Sequence, residues 1–139
     1  MRDENCIFCK IIEGDIPSYK LYEDDDFMVI LDAGPATRGH ALVIPKEHYK
    51  NLYELPDELA AKAVILGKKL ITQLKEILGC DGYNLVQNNG EAAGQTVDHF
   101  HLHLIPRYSG DESGLGWNMG SLDIDEANEL QALIKDKLH

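Results

Sequence analysis

Polar and apolar residues alternate one for one from His99 through Phe100, His101, Leu102 and His103 to Leu104. Successive side chains of a strand leave opposite sides of the pleat, so period-two alternation marks a strand with one buried face. The pattern predicts a strand over residues 97–105, with Phe100, Leu102 and Leu104 inward and three histidines in a row on the other face. Neighbouring imidazoles in such a row start roughly 6.5–7 Å apart. Four more strands are expected. Residues 19–23 and 27–32 flank Asp24-Asp25-Asp26, an acidic, solvated turn. Residues 40–45 form a short, mostly apolar run that Pro45 ends. Residues 83–87 precede an Asn/Gly-rich loop (88–96) that leads into the histidine strand as a hairpin-like connection.

Helical spacing dominates elsewhere. Leu59, Ala63, Leu66, Leu70, Leu74 and Ile77 recur at three- and four-residue steps, predicting a helix over residues 54–78 with one buried stripe. Pro56 suits its first turn, Asp57 and Glu58 its positive dipole end, and Gly79 its C-terminal cap. A last helix is expected from Asp123, with Glu126 completing a capping-box-like pair, to Leu138. Residues 108–121 around Trp117 read as irregular, and residues 1–18 as a Cys6-x-x-Cys9 pair followed by a turn at Gly14-Asp15. Strands in a meander with one long helix across them make an α+β domain.

Composition narrows the partners. A chain of 139 residues is one domain of ordinary size. A net charge of −11 argues against non-specific nucleic-acid binding, which draws its affinity from basic side chains on phosphates. A small nucleotide is still within reach of backbone N–H groups and histidines. No apolar run approaches a membrane span and no signal-like segment opens the chain, so a cytoplasmic location with no membrane partner is expected. Three cysteines, an odd number, argue against a disulfide framework.

The histidine row carries the candidate chemistry. Neutral imidazole attacks phosphorus at pH 7 without a strong base, provided one ring nitrogen holds the proton and the other faces the phosphate. His101, flanked by a histidine on each side, is the best held of the three. His99 and His103 are too far apart to share one metal ion, but His-x-His alone can bind one, which leaves a zinc hydrolase open as a reading.

The run from His99 to Ile105 resembles the histidine-triad motif, His-φ-His-φ-His-φ-φ, of the HIT superfamily of nucleotide hydrolases and transferases. Asp32, the run Gly39-His40-Ala41-Leu42-Val43-Ile44-Pro45-Lys46, Asn88 and Gly94-Gln95-Thr96 fall where that family carries its nucleotide contacts. The resemblance covers about residues 5–108 of a single domain spanning 1–139, the remainder being the irregular segment and C-terminal helix. It implies a HIT-like fold: a five-stranded antiparallel sheet with one long helix and a C-terminal helix, the sheet extended across a homodimer. It further implies hydrolysis of a purine nucleoside 5′-phosphoramidate, with adenosine the expected nucleoside. His101 would attack the α-phosphate, form a covalent nucleotidyl-histidine and release the monophosphate. By the same resemblance His103 and His40 flank the phosphate as donors, and Thr96 stands where relatives carry the hydroxyl that assists the leaving group. Asp32 would meet the ribose hydroxyls and Asn88 the ribose or phosphate, with Gly94 and Gln95 in the nucleotide loop. No organic cofactor is expected.

Cys6-x-x-Cys9 is a metal-ligand spacing that needs two further ligands. His48, His99 and His139 are the histidines left over from catalysis. Several bacterial-type relatives look alike here, which implies a structural zinc on Cys6, Cys9, His48 and His99. The CxxC and Asp32 tilt the resemblance to the Hint/Hit-like branch. The Fhit-like dinucleoside polyphosphate hydrolases come second, since residues 90–96 and Ile105-Pro106-Arg107 resemble them almost as well. A histidine rather than glutamine at 101 argues against the transferase branch, and the acidic balance against the DNA-end repair branch. An interaction module with incidental activity is the reading from another class; it has no need of imidazoles in a row.

Overall fold

A computed structural model describes residues 2–138 of the chain; Met1 and His139 lie outside the described residues. Five antiparallel strands form one sheet: β1 (Lys20–Glu23), β2 (Phe27–Leu31), β3 (Ala41–Pro45), β4 (Gly82–Val86) and β5 (Leu102–Arg107). Their spatial order is β1-β2-β3-β5-β4, not the expected meander. The cause is the 22-residue helix α2 (Asp57–Leu78), which carries the chain from β3 across the sheet to its far edge. The β4–β5 hairpin then returns inward, and β5 closes the gap beside β3, pairing Val43 with Leu102 and Leu42 with His103.

Alternation along the central strands sorts two apolar layers. Phe27, Val29, Ala41, Val43, Leu102 and Leu104 face α2 and pack with Ala63, Leu66 and Phe100. Met28, Ile30, Leu42 and Ile44 face the other way and meet Cys6, Phe8 and Cys9. Gly67 lets α2 sit close on β5, since a Cβ there would stand 3.3 Å from the Leu104 Cδ2. The helical stripe holds except at Ile77, which is 74% exposed. Leu78 takes its place and reaches the loop before β3. Gly39, in that loop, has φ +91°, and a Cβ on it would lie 2.5 Å from Leu78 Cδ1 and 3.3 Å from Pro106 Cγ. Gly39→Ala is therefore expected to cost about 2–4 kcal/mol, from positive φ and overpacking together. Denaturant unfolding checks this, and a loss below 1 kcal/mol would show that the loop yields.

Three boundaries depart from the sequence expectation. Residues 6–14, read as a metal-ligand pair and a turn, contain a helix, α1 (Ile7–Glu13), capped at Cys6, whose Sγ accepts from the Cys9 N–H, and ended by Gly14 at φ +86°. Helix α2 starts at Asp57, not residue 54, with Pro56 in the N-cap position. Strand β5 starts at Leu102, not residue 97. Residues 97–99 bend instead, closed by the His99 N–H donating to the Val97 carbonyl, and the Phe100 N–H donates to the Tyr49 carbonyl at 2.7 Å. The C-terminal helix α3 (Ile124–Leu138) begins as expected, with Asp123 Oδ1 accepting from the Asp125 and Glu126 N–H groups. Among the described residues no helix is long and apolar enough to cross a membrane.

Candidate active site and metal-ligating cluster

On the sheet face away from α2, a cleft of about 900 Å³ opens between α1 and the central strands. Phe8, Ile11, Ile30 and Leu42 give it apolar walls, and Asp32, Thr96, His101 and His103 supply polar groups. Leu31 also lines it. The sequence offers Phe8, Ile30 and Leu31 as walls without separating them from plain core residues, and it does not single out Ile11 or Val97. The i, i+3, i+4 spacing of Phe8, Ile11 and Ile12 before Gly14 is the signal that points to α1 and its cleft-facing side.

Backbone groups set the protons on the histidines. A carbonyl can only accept, so His101 Nδ1, 2.7 Å from the His99 carbonyl oxygen, carries the ring proton, and His101 Nε2 keeps its lone pair. An amide N–H can only donate, so His40 Nδ1, 2.9 Å from the Ala36 nitrogen, is the acceptor and His40 Nε2 carries the hydrogen. That hydrogen points at His103 Nδ1, 2.9 Å away, with Asp32 Oδ2 at 3.4 Å. His103 Nε2 is thereby left protonated. The His101 and His103 rings lie 4.9 Å apart between centroids, closer than their backbone spacing, because the rings tilt toward each other. The result is one imidazole with a lone pair beside one with an N–H, which is a nucleophile next to a donor.

The loop after β4 is built around Gln95. Its buried amide accepts from the Gly90 N–H and donates to the Lys50 and Val97 carbonyls, which locks residues 90–97 into shape. Gly94, at φ +93°, ends a single 3-10 turn (Glu91–Ala93), and Asn88 lies against it. The loop delivers Thr96 to the cleft, whereas Asn88, Gly94 and Gln95 sit behind that opening.

Cys6, Cys9, His48 and His99 converge, with one ligand atom from each within 4.8 Å of the others. His99 Nε2 donates to the Pro45 carbonyl at 2.9 Å, so its Nδ1 lone pair faces the cluster. Sulfur-to-nitrogen distances of 3.3, 3.4 and 3.6 Å and a nitrogen-to-nitrogen distance of 3.2 Å separate these atoms. A tetrahedral ion with bonds of about 2.0–2.3 Å has edges of roughly 3.3–3.8 Å, so the donor set fits zinc in number, type and approximate spacing. Asp32, His40 and His103 also lie close enough to hold an ion. There the Ala36 amide forces the hydrogen onto His40 Nε2, the atom that would have to ligate. The first donor set suits a metal ion; the second is a proton-ordered chain.

Burial pushes His103 down to about 4, and His40 and His101 in the same direction, Asp32 opposing throughout. Desolvation disfavours the charged ring, so all three are neutral at pH 7. An unfolded histidine titrates near 6.5 and thus binds more protons than the folded one below that pH. Stability is complete above pH 6.5 and falls as the pH drops from 6.5 towards 4. Thermal melts should show this slope, and His103→Gln should make it shallower. A midpoint level across that window in the unmodified chain contradicts the burial argument.

The sequence model of the HIT domain family matches residues 13–110. The chain is similar to the adenosine 5′-monophosphoramidase of Saccharomyces cerevisiae, 44% identical over 138 residues, covering 98% of this chain and 84% of that one. Among solved structures it is similar to SMU.412c of Streptococcus mutans, with a TM-score of 0.92 and 41% identity, covering 99% and 87% of the two chains. It is also similar to a zinc-bound histidine triad family protein of Mycobacterium smegmatis, with a TM-score of 0.76 and 40% identity, covering 96% and 95%.

Proposed function

The chain belongs to the HIT domain family, and on that premise we propose that the cleft hydrolyses adenosine 5′-phosphoramidates with His101 as nucleophile. The chain is a HIT nucleotide hydrolase of the adenosine 5′-monophosphoramidase type. The observation that carries the assignment of His101 is its hydrogen bond to the His99 carbonyl, which leaves the Nε2 lone pair on a ring that lines the cleft.

Two displacements make up the reaction. His101 Nε2 forms a bond to the α-phosphorus as the phosphorus–nitrogen bond of the substrate breaks; the departing amine takes a proton from solvent water relayed through the Thr96 hydroxyl, and the water that attacks in the second displacement returns one to solvent. His103 Nε2–H, oriented through His40, donates to the non-bridging oxygens, where negative charge concentrates. Water then attacks phosphorus, the bond to His101 breaks, and the monophosphate leaves with the imidazole neutral again. Asp32 accepts from the ribose hydroxyls, and Phe8, Ile30 and Leu31 sandwich the base. Asn88, Gly94 and Gln95 serve the nucleotide by shaping the loop that presents Thr96. A zinc ion on Cys6, Cys9, His48 and His99 ties down α1; it supplies no chemistry to either displacement. The decisive test is a substrate panel: turnover of adenosine phosphoramidate should far exceed that of diadenosine polyphosphates. The reverse order makes the chain a dinucleoside polyphosphate hydrolase instead, and a covalent nucleotidyl group on His101 dismisses a zinc-hydrolase mechanism.

The working unit is a homodimer. Strands β1 and β4 end the sheet with open edges, which a soluble protein covers or pairs. Helix α3 buries none of its residues in its own chain, and Leu130, Leu133 and Ile134 are each more than half exposed. Trp117 is also uncovered, at 84% exposed. Light scattering should give twice the 15.6 kDa chain mass. A monomer at micromolar concentration overturns this.

A further inference from the structure

His99 serves two sites at once. Its imidazole Nδ1 faces the metal-ligating cluster, while its backbone carbonyl holds the His101 Nδ1–H at 2.7 Å. The cluster and the catalytic ring are therefore one residue apart. Phe8 makes a second connection. It lies between Cys6 and Cys9 in the first turn of α1 and is buried. Its ring stands edge-on to His99 at 5.8 Å and to His101 at 5.0 Å between centroids. Those are the spacings of packed aromatic pairs, so the His101 ring cannot swing toward α1 while Phe8 is in place.

Phe8 is held by its packing against Met28, Ile30, Leu42 and Ile44 and by the cluster on either side of it. A helix of seven residues has no stability of its own. The hydrogen bonds that α1 and its cap send from side chains into the sheet body are those of the two thiols, to His48 and His99. Removing the ion leaves two buried thiols facing the buried His99 ring and the partly buried His48 ring, and loosens the segment that carries Phe8.

We propose that the metal-ligating cluster and the nucleophile act as one mechanical unit, with Phe8 as the positioning residue that braces the His101 ring in its attacking orientation. Metal occupancy thereby controls turnover through an ion that takes no part in the chemistry. The inference rests on the zinc and hydrolase readings above. Phe8 also walls the cleft, but the two roles separate: leucine keeps an apolar wall and loses the flat edge against His101. Turnover should then suffer more than substrate affinity.

The experiment uses the full chain, zinc-loaded and chelator-stripped, as wild type and Phe8→Leu. Ring-nitrogen NMR reports the His101 tautomer, and kcat and KM are measured on adenosine phosphoramidate. Loaded wild type should show a single His101 tautomer with the proton on Nδ1; stripping should mix the two tautomers and lower kcat about tenfold or more, the scale on which misplacement of a reacting group acts. Loaded Phe8→Leu should show the same mixed signature, with kcat down about tenfold and KM within about threefold. Stripping that variant should cost less than about twofold more, because one interaction cannot be lost twice. An unchanged tautomer in stripped wild type overturns the proposal, and so do losses that multiply. If stripping unfolds the chain, the loaded Phe8→Leu protein decides by its tautomer and its kcat-to-KM split. If loaded wild type turns over no phosphoramidate, the hydrolase reading has failed, and the ring signature still decides the coupling.

Discussion

His101→Asn is expected to lower kcat by at least about a thousandfold while binding adenosine monophosphate within about threefold of the wild type, the pattern of a group that acts only in the reaction. Asparagine keeps an N–H that can reach the His99 carbonyl, so the ring's hydrogen bond at 2.7 Å has a substitute. It has no lone pair to offer phosphorus. Thermal stability should therefore change little, and the loss is chemical. His103→Gln should cost less, about a hundredfold, because it removes an oriented donor and leaves the nucleophile in place. Equal losses at the two positions would mean that His101 has no special role. Steady-state kinetics with a separate monophosphate titration checks both values.

Stripping the metal is the second large effect. Protein purified without chelator should contain one zinc per chain, and removing it should lower the melting temperature by roughly 10 °C. An ion at a thousand times its Kd contributes about 4 kcal/mol, and a domain of this size shifts by a few degrees per kcal/mol. Cys9→Ser should reproduce most of the drop, since Cys9 is fully buried and approaches both histidines. Burial pushes the Cys6 thiol up to about 11, so without a cation it stays protonated at neutral pH. Metal binding must displace those thiol protons, and the affinity should fall as the pH drops. A zinc content near zero, with both thiols freely reactive in the native protein, leaves the cluster a coincidence of spacing.

Much of this site is legible in the chain, and the reasons for the rest are physical. The alternation around His101 places three imidazoles opposite Phe100, Leu102 and Leu104 even though the ladder of β5 begins only at Leu102. The alternation still sends His99 to the cysteines and Phe100 to the opposite core, although residues 97–99 bend and the N–H groups of His99 and Phe100 bond to Val97 and Tyr49 rather than to a neighbouring strand. The sheet order is not legible, because pairing β5 with β3 depends on where α2 ends in space. Helix α1 has a sequence signal in Phe8, Ile11, Ile12 and the stop at Gly14, but seven residues between a metal-ligand spacing and a Gly/Pro turn give too short a periodicity to stand out. The protonation pattern has no sequence signal at all. It is set by the carbonyls of His99 and Pro45 and the amide of Ala36, main-chain groups that every residue carries and only the fold can aim.

The mechanism stands on a covalent bond between His101 Nε2 and the α-phosphorus. Mixing enzyme with adenosine phosphoramidate, quenching in alkali, where phosphorus–nitrogen bonds to imidazole survive, and mapping the peptides by mass measures it directly. One adenylyl group is expected, carried on His101 and missing in His101→Asn. An adduct on another residue, or full turnover with no adduct at any quench time, would contradict it.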